Sequence, residues 1–342
     1  MSNNLLTLEI DEDKVKFALA RLEGKQIVVE NLGMAENNVF FYENDLPRTI
    51  AEQARLIDEL YNRLKLKEKN INLVLPDAYC FSQITTMPKL KEKELLSAIR
   101  YQADQFIPMP LSETALDLEI IHEDKNTGQI LVMIVASPNS LIKRIGDLTE
   151  QLGLIPDVVE NQTSVISRLI SSVFVPTQKT GYSLVINFGY KATMLCLYSH
   201  DLNLIIDLHP IKLGYEIFLK EIQINLQSDY VKNKEILRDI GFGVEGSLNV
   251  ADIIEPSFKE IVGEFEKYIL YVKEKYKITQ LNQVNLLNQV EFIQLFDKKI
   301  ETALSLPVTV FDLKEHIKLS PLVTNYQNQL PLFISTIGGC IR

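Results

Sequence analysis

Short apolar runs separated by charged turns dominate the first part of the chain, and this spacing is typical of β-strands joined in hairpins. Strand-like runs at 5–10, 15–20 and 26–32 predict a three-stranded meander. Apolar residues at helical spacing, among them Ile50 and Ile57, then predict a helix that begins at Pro47, because proline is favoured in the first turn of a helix. A further strand is predicted at 71–76.

A distinct block covers 80–137. A strand at 80–86 is followed by a helix with Leu95, Ile99, Ala103 and Phe106 on one face. Pro108 ends that helix, because proline disfavours helical backbone at the residue before it. Two strands, 115–121 and 129–137, complete the block. The order strand, helix, strand, strand predicts a small inserted subdomain.

The second half repeats the architecture of the first without repeating its sequence. A turn-rich stretch at 176–181 is interpreted as a hinge, and a second meander follows at 183–188, 193–199 and 203–209. Helices are predicted at 140–152 and 161–173 before the hinge. After the meander the predicted elements are helices at 214–226, 234–240, 257–276 and 291–303 and strands at 283–288 and 308–312. The pattern predicts an α/β protein with two similar halves.

Composition narrows the class of protein. The 342 residues are 46% hydrophobic and 23% charged, which is typical of a globular domain and excludes disordered, collagen-like and coiled-coil chains. The net charge of −10 argues against non-specific binding to nucleic acid or to anionic lipid, which both require a basic surface. We expect no signal peptide and no membrane-spanning segment, and therefore a soluble cytoplasmic protein.

Several familiar patterns carry no chemistry in this chain. The three cysteines lie more than a hundred residues apart, which predicts reduced thiols and no structural zinc. The four histidines share no metal or catalytic spacing. Gly241, Gly243 and Gly246 spell GxGxxG, but a helix precedes them, whereas a dinucleotide fingerprint follows a strand. We interpret this stretch as a loop.

The turns inside the two meanders are the informative places. In actin, Hsp70 and sugar kinases, this turn is a glycine-rich loop that holds ATP phosphates, with a nearby Asp that holds Mg²⁺ through water. Glycine is needed because backbone N–H groups must approach phosphate closely. The first turn here keeps Asp11 and Lys16 but has no glycine, and Glu12 and Asp13 would repel phosphate.

The second turn keeps Gly189 and Thr193 but has Asn187 where a carboxylate is expected, and an amide is a poorer partner for a hard cation. Gly214 lies at the start of the next predicted helix. The candidate nucleotide-binding residues are therefore Asp11, Lys16, Asn187, Gly189, Thr193 and Gly214. The alternative is that both turns are ordinary hairpin turns.

With these features, the sequence resembles the PilM family, the actin-like cytoplasmic proteins of type IV pilus assembly. The family has a pattern of strand, Leu-Pro, helix and strand. This chain is similar to that pattern in three successive stretches: INLVLP at 71–76, the segment 87–108, which contains the helix and ends in Ile-Pro, and the strand at 116–121. The stretches 134–140 and 153–160, the segment 233–238 and the ending 337–342 add support.

The chain departs from the family at three nucleotide-binding elements. The first loop, of the type DIGSSSVK in the family, is shorter here and lacks glycine and serine. The family's DIGA turn is 187–190 here, and Asn288 and Gln289 replace the two glycines of its LxGGxA motif. The three departures together imply a pseudo-ATPase or very weak ATP binding, so no cofactor is assigned, although Mg-ATP stays an open alternative.

The resemblance implies an actin-like, two-lobed ATPase fold of the Hsp70 and FtsA type with an inserted 1C-type subdomain. The implied division is subdomain 1A at 1–79, with 138–175 and 328–342; subdomain 1C at 80–137; and a second lobe, 2A and 2B, at 181–327.

The implied function is that of a scaffold at the cytoplasmic face of the inner membrane. The family binds the N-terminal cytoplasmic tail of the bitopic protein PilN in a groove between 1A and 1C, and so connects the motor platform of the pilus to its alignment complex. Ile99, Ala103 and Phe106 are candidates for this groove, with packing in the core as the alternative for all three. Contact with the membrane is expected through the partner alone.

Three rival interpretations stay open. An active actin-like ATPase or sugar kinase would require carboxylates and glycines in both turns. The cytoplasmic module of a type II secretion platform would be expected to continue into a membrane span. A cell-division actin homologue would be expected to carry a C-terminal amphipathic helix, for which the paired glycines at 338–339 are unsuited.

Overall fold

A computed structural model describes residues 4–103, 107–173, 180–243 and 249–342. By contact, the chain divides into two units. The first contains Met1–Phe174, His316–Gln327 and Ser335–Arg342, and the second contains Val175–Glu315 and Asn328–Ile334.

The elements before the second meander follow the predicted order, with one addition. They are β1 (Leu5–Ile10), β2 (Lys14–Glu23), β3 (Gln26–Glu36), α1 (Pro47–Arg63), β4 (Asn70–Leu75), β5 (Phe81–Pro88), α2 (Glu92–Ala103), β6 (Thr114–Asp124), β7 (Gln129–Pro138), α3 (Asn139–Leu152), β8 (Ile155–Asn161) and α4 (Gln162–Val173). Strand β8 is the addition, since no strand is predicted at 155–161.

The later elements are β9 (Tyr182–Phe188), β10 (Thr193–Ser199), β11 (Leu204–Ile211), α5 (Tyr215–Leu226), α6 (Tyr230–Asp239), α7 (Val250–Tyr276), β12 (Val284–Asn288), α8 (Phe296–Leu304), β13 (Val308–Val310), β14 (Ile317–Leu319) and α9 (Ile334–Gly338). Two of these elements differ most from prediction. Helix α7 begins seven residues before the predicted 257 and contains Pro256, and the predicted helix 291–303 is a 3₁₀ turn followed by α8.

The first unit contains a six-stranded sheet in the order β14-β3-β2-β1-β4-β8. The meander β1-β2-β3 is antiparallel, whereas β4 pairs in parallel with β1 and β8 pairs in parallel with β4. Helices α1 and α3 pack together, and their apolar faces, with Ile57, Leu60, Ile145 and Leu148, are buried in one core with the sheet. Strand β14 is parallel to β3, which explains why His316–Gln327 clusters with the first unit.

A three-stranded antiparallel sheet, β5-β7-β6, is inserted in this unit. Because side chains alternate between the faces of a strand, its two faces differ. One face packs against α2 in a core that contains Leu95, Ile99 and Ile134. The opposite face carries Met133 and Val135, with Asp117 and Glu119 opposite them on β6.

The second unit has a five-stranded sheet in the order β11-β10-β9-β12-β13. Its meander β9-β10-β11 is antiparallel, and β12 is parallel to both β9 and β13. Helices α5 and α7 pack together, and a group of aromatic rings that includes Phe188, Phe218, Phe258 and Phe296 fills the core. Both units therefore have the meander-first architecture that the sequence predicts.

Candidate functional site

The turn between β1 and β2 is closed by its own residues. The Asp11 N–H donates to the Lys14 carbonyl at 2.8 Å, and the Asn37 amide donates to the Asp11 carbonyl at 2.7 Å. The Asp11 side chain is buried and accepts a hydrogen bond from the Glu12 N–H at 2.9 Å. Its carboxylate therefore faces protein groups.

Lys16 lies inside a buried charge network. Its Nζ is 3.2 Å from Glu9 Oε1 and 3.4 Å from Asp11 Oδ2, and the three side chains are at most 2% exposed. Burial alone would lower the pKa of Lys16, but the Glu9 and Asp11 carboxylates outweigh it and the pKa is raised. The ammonium is therefore committed to two carboxylates of its own chain.

Glu9 connects this network to distant parts of the first unit. Its carboxylate accepts hydrogen bonds from Ser335 Oγ at 2.7 Å and from Gln162 Nε2 at 2.9 Å, and also one from Thr336 Oγ1. A buried charge is tolerated when it is paired and its remaining lone pairs are satisfied. The network thus joins β1, β2, α4 and the C-terminal segment.

Glu12 adds a carboxyl group to the same turn. Burial and the adjacent Asp11 carboxyl hold the pKa of Glu12 well above its usual range. Asp13 pairs with Lys14 at 2.5 Å. The first turn therefore presents carboxyl groups, and its two lysines bind carboxylates, so it has little to offer a phosphate.

The β9–β10 turn brings together the four candidate residues of the second unit. The Gly189 N–H donates to the Ala192 carbonyl at 3.1 Å, and Thr193 Oγ1 donates to the Leu213 carbonyl at 2.7 Å. Gly214 comes next and lies against the turn. A Cβ at Gly214 would be 2.6 Å from the carbonyl oxygens of Gly189 and Tyr190.

The N-terminus of α5 contacts this turn directly. The first N–H groups of a helix have no partner within the helix and can bind anions. Here the Tyr215 N–H donates to the Gly189 carbonyl at 3.0 Å, and the Glu216 N–H donates to the Tyr190 carbonyl at 2.9 Å. Two groups suited to a phosphate are therefore occupied by backbone oxygens.

Aromatic side chains surround the same turn. Tyr190 and Tyr215 are buried with ring centroids 6.2 Å apart, and Phe292 lies 6.2 Å from Tyr215. The Tyr230 hydroxyl donates to the Tyr190 hydroxyl at 3.1 Å. The space beside the turn is thus filled by rings of the protein itself.

Asn288 ends β12 in a conformation that favours glycine. Its φ of 72° and ψ of −121° lie outside the regions that L-residues ordinarily adopt. Its Nδ2 donates to Asn187 Oδ1 at 3.3 Å. The backbone here therefore has a shape that favours glycine, at the position where the resemblance leads us to expect one.

We expect Asn288→Gly to raise the free energy of unfolding by about 1 kcal/mol. A non-glycine residue in such a region costs about 1–3 kcal/mol, and glycine removes this cost. The loss of the hydrogen bond to Asn187 offsets part of the gain. Urea unfolding of the variant and of Asn285→Gly, whose site is an ordinary strand position, would test this. A destabilised Asn288→Gly would contradict it.

Of the three groove candidates, the structure describes the side-chain environment of Ile99. Ile99 is fully buried in the core between α2 and the three-stranded sheet, so it is unavailable for binding a partner in this conformation. Ala103 is the last residue of α2, and Phe106 lies outside the described residues.

A cleft of about 90 Å³ lies on the opposite face of that sheet. Its lining comes from three strands and a helix: Asp117, Leu118, Glu119, Met133, Val135, Val159, Glu160, Asn161 and Ser164. The Leu118 side chain packs in the α2 core, so β6 borders the cleft there through its main chain. The cleft has an apolar floor and acidic walls.

Buried hydrogen bonds hold the two sides of the cleft together. Asn161 Nδ2 donates to Ser82 Oγ on β5 at 2.8 Å and to Asp77 Oδ1 at 2.6 Å. Asp77 also accepts from Thr163 Oγ1 at 2.7 Å, and Ser164 Oγ donates to Asn161 Oδ1 at 2.6 Å. The cleft is therefore built on rigid elements.

The three carboxylates of the cleft differ in their partners. Glu160 is neutralised by Arg168 through two contacts of 2.7 Å, and paired contacts of this kind are strong. Within the described residues, Asp117 and Glu119 have no cationic partner, and both are exposed. The resemblance implies a groove between 1A and 1C, but sequence reasoning missed the residues that line this cleft. The alternation of Leu116 and Leu118 with Asp117 and Glu119 indicates one apolar and one polar face of β6.

Within the described parts of the chain, no helix is both long and apolar enough to cross a membrane. The same residues contain no group of three or more side chains suited to hold a metal ion.

The fold is that of the actin-like ATPases, as the sequence predicts. A solved structure described as the PilM-PilN type IV pilus biogenesis complex is similar over 98% of this chain and 97% of that chain, with a TM-score of 0.83 and 18% identity. The ethanolamine utilization protein EutJ from Carboxydothermus hydrogenoformans is similar over 99% and 90% of the two chains, with a TM-score of 0.52 and 11% identity.

Sequence comparison defines the family more narrowly. The profile of the family described as type IV pilus assembly protein PilM matches residues 8–338. The chain therefore belongs to the PilM family, which confirms the resemblance. The comparison with curated proteins gives no match.

Proposed function

We propose that this protein is a nucleotide-independent scaffold of type IV pilus assembly that binds the N-terminal cytoplasmic tail of a PilN-like bitopic protein. The observation that carries the proposal is a contrast within the chain. The cleft between the three-stranded sheet and β8 is open and lined by groups that can bind a peptide, whereas both meander turns are closed by the protein's own groups.

The family and the similar complex support the choice of partner. The solved structure that is similar over 98% of this chain is described as a PilM-PilN complex. The cleft here has β6 and β7 of the inserted sheet on one side. On its other side lie β8 of the larger sheet and the helix α4. This position corresponds to the groove between the proposed subdomains 1C and 1A. Binding of this tail would hold the protein at the inner face of the cytoplasmic membrane and link it to motor platform proteins.

The two turns support the proposed loss of nucleotide binding. Lys16 is held by Glu9 and Asp11, so it does not fit the role of a phosphate ligand. The first two N–H groups of α5 donate to Gly189 and Tyr190, so they do not fit that role either. We therefore assign Asp11, Lys16, Asn187, Gly189, Thr193 and Gly214 a structural role in place of ATP binding.

We expect Mg-ATP at a few millimolar to leave the unfolding temperature unchanged. A ligand at 100 times its dissociation constant adds about 2.7 kcal/mol, which would raise the melting temperature of a chain of this size by about 4 °C. Magnesium sulfate at equal ionic strength is the control. A shift of that size with Mg-ATP would revive the alternative of an active actin-like ATPase.

Titration calorimetry with a synthetic peptide of the cognate PilN-like tail tests the partner. We expect saturable one-to-one binding, with no change when Mg-ATP is added. A scrambled peptide of the same composition is the control, and equal binding of both peptides, or of neither, would overturn the proposed function.

A further inference from the structure

We propose that the occupant of the cleft is an extended peptide segment that adds a strand to the free edge of β6 and places basic side chains against Asp117 and Glu119. This inference rests on the proposed function, and it names the binding mode and the chemistry that select the peptide.

The edge of β6 is the first support. Within the described residues, β6 pairs with β7 alone, and β8 pairs with β4 alone. Unpaired strand edges carry N–H and C=O groups in a row and are templates for another strand. At Leu118 the main chain of β6 borders the cleft, so a peptide there can reach this edge. The Leu118 N–H donates to Asp117 Oδ1 at 2.8 Å, and a peptide that pairs with this N–H would replace that local bond and release the carboxylate oxygen.

The charges are the second support. Among the three carboxylates of the cleft, Glu160 is already neutralised by Arg168. Asp117 and Glu119 project from the same face of β6, two residues apart, and pair with Val135 and Met133 across the sheet. A cationic side chain would complement Asp117 and Glu119, and an apolar side chain would pack on Val135, which is half-buried, whereas Met133 is buried.

The spacing of the two carboxylates sets the spacing of the ligand. In a strand, residues two apart share a face, and directly opposite residues on neighbouring strands have Cβ atoms about 4.5–5.5 Å apart. A strand added beside β6 therefore places its residues i and i+2 next to Asp117 and Glu119. Lysine or arginine at both positions fits the cleft better than two adjacent basic residues.

Fluorescence polarisation with labelled ten-residue peptides tests the charge. The probes alternate serine with lysine at two central positions, i and i+2, and the comparison peptides carry glutamine or glutamate there. We expect Asp117→Asn and Glu119→Gln each to weaken binding of the lysine peptide about fivefold, and Glu119→Lys to bind the glutamate peptide in its place. Glu150→Gln, which removes an exposed charge on α3, is the matched control and should change nothing.

Backbone methylation tests the strand. N-methyl groups on alternate residues of the lysine peptide block one hydrogen-bonding edge at a time. We expect one frame of methylation to weaken binding at least about tenfold and the other frame to be tolerated, since only one edge would face β6. Equal effects of the two frames would overturn strand addition.

The cognate tail separates this inference from the proposed function. If the tail binds but is insensitive to Asp117→Asn and Glu119→Gln, charge selection is wrong and the scaffold function stands. If the lysine peptide binds with the expected dependence and the tail does not bind, the cleft chemistry stands and the proposed partner is wrong. If lysine, glutamine and glutamate peptides bind equally, the inference fails whatever the tail does.

Discussion

Replacing Lys16 with methionine is expected to lower the free energy of unfolding by about 3–5 kcal/mol, because removing one partner of a buried ion pair leaves an uncompensated buried charge. Methionine has a similar length, so the change removes the ammonium and leaves little cavity. Glu9 and Asp11 would then face each other across a buried space with no cation. Urea unfolding followed by circular dichroism measures the loss.

Two further variants show whether charge is the cause. Lys143 forms an exposed pair with Asp147 on α3, and Lys143→Met should change stability by less than about 0.5 kcal/mol. The double variant Glu9→Gln with Lys16→Met should be more stable than Lys16→Met alone, because glutamine keeps hydrogen bonds to Ser335 and Gln162 without a charge. If Lys16→Met is as stable as the parent protein, the ammonium does not stabilise the fold, and a role in binding phosphate returns.

The sequence allows the locally determined elements to be predicted. Strand β1 was predicted with its observed bounds, and α1 begins at Pro47 as expected, because alternation and helical spacing are properties of neighbouring residues. The two meanders were predicted for the same reason. The same local patterns predict the elements between the meanders, with the exception of β8.

Elements that depend on distant partners were missed. Strand β8 contains Pro156 and Asp157, which are uncommon in strands but tolerated at an edge. Strand β14 has three residues and forms by pairing with residues of β3 that lie 290 positions earlier in the chain. Helix α7 runs through Pro256 because Val250 and Ile254 on its first turns are buried, and tertiary packing overrides local propensity.

The candidate site shows the same limit. Composition of the turns indicated that phosphate binding is degraded, but the donors that close the β9–β10 turn belong to Tyr215 and Glu216, more than twenty residues later. The lining of the cleft was missed because Asp117 on β6 and Asn161 on β8 come to line one cleft only after two sheets have formed. Ile99 has helical spacing with Leu95, and that spacing indicates burial without distinguishing a core from a groove.

Val135→Arg is expected to weaken binding of the PilN-like tail at least about 100-fold, because central, well-packed positions dominate the energy of an interface. Val135 lies on the middle strand of the inserted sheet, in the floor of the cleft. An arginine side chain would fill the cleft of about 90 Å³ and could pair with Asp117, the residue opposite it on β6. Calorimetry with the tail peptide measures the loss.

The matched control is Thr86→Arg. Thr86 is exposed on β5 and lies on the same face of the sheet, but it does not line the cleft. This variant adds the same charge and should bind the tail as the parent protein does. Thermal unfolding of both variants separates loss of binding from loss of fold.

If folded Val135→Arg still binds the tail with unchanged affinity, the tail binds elsewhere. If binding is lost in Val135→Arg and kept in Thr86→Arg, partner recognition belongs to the cleft, which shares no residue with either meander turn.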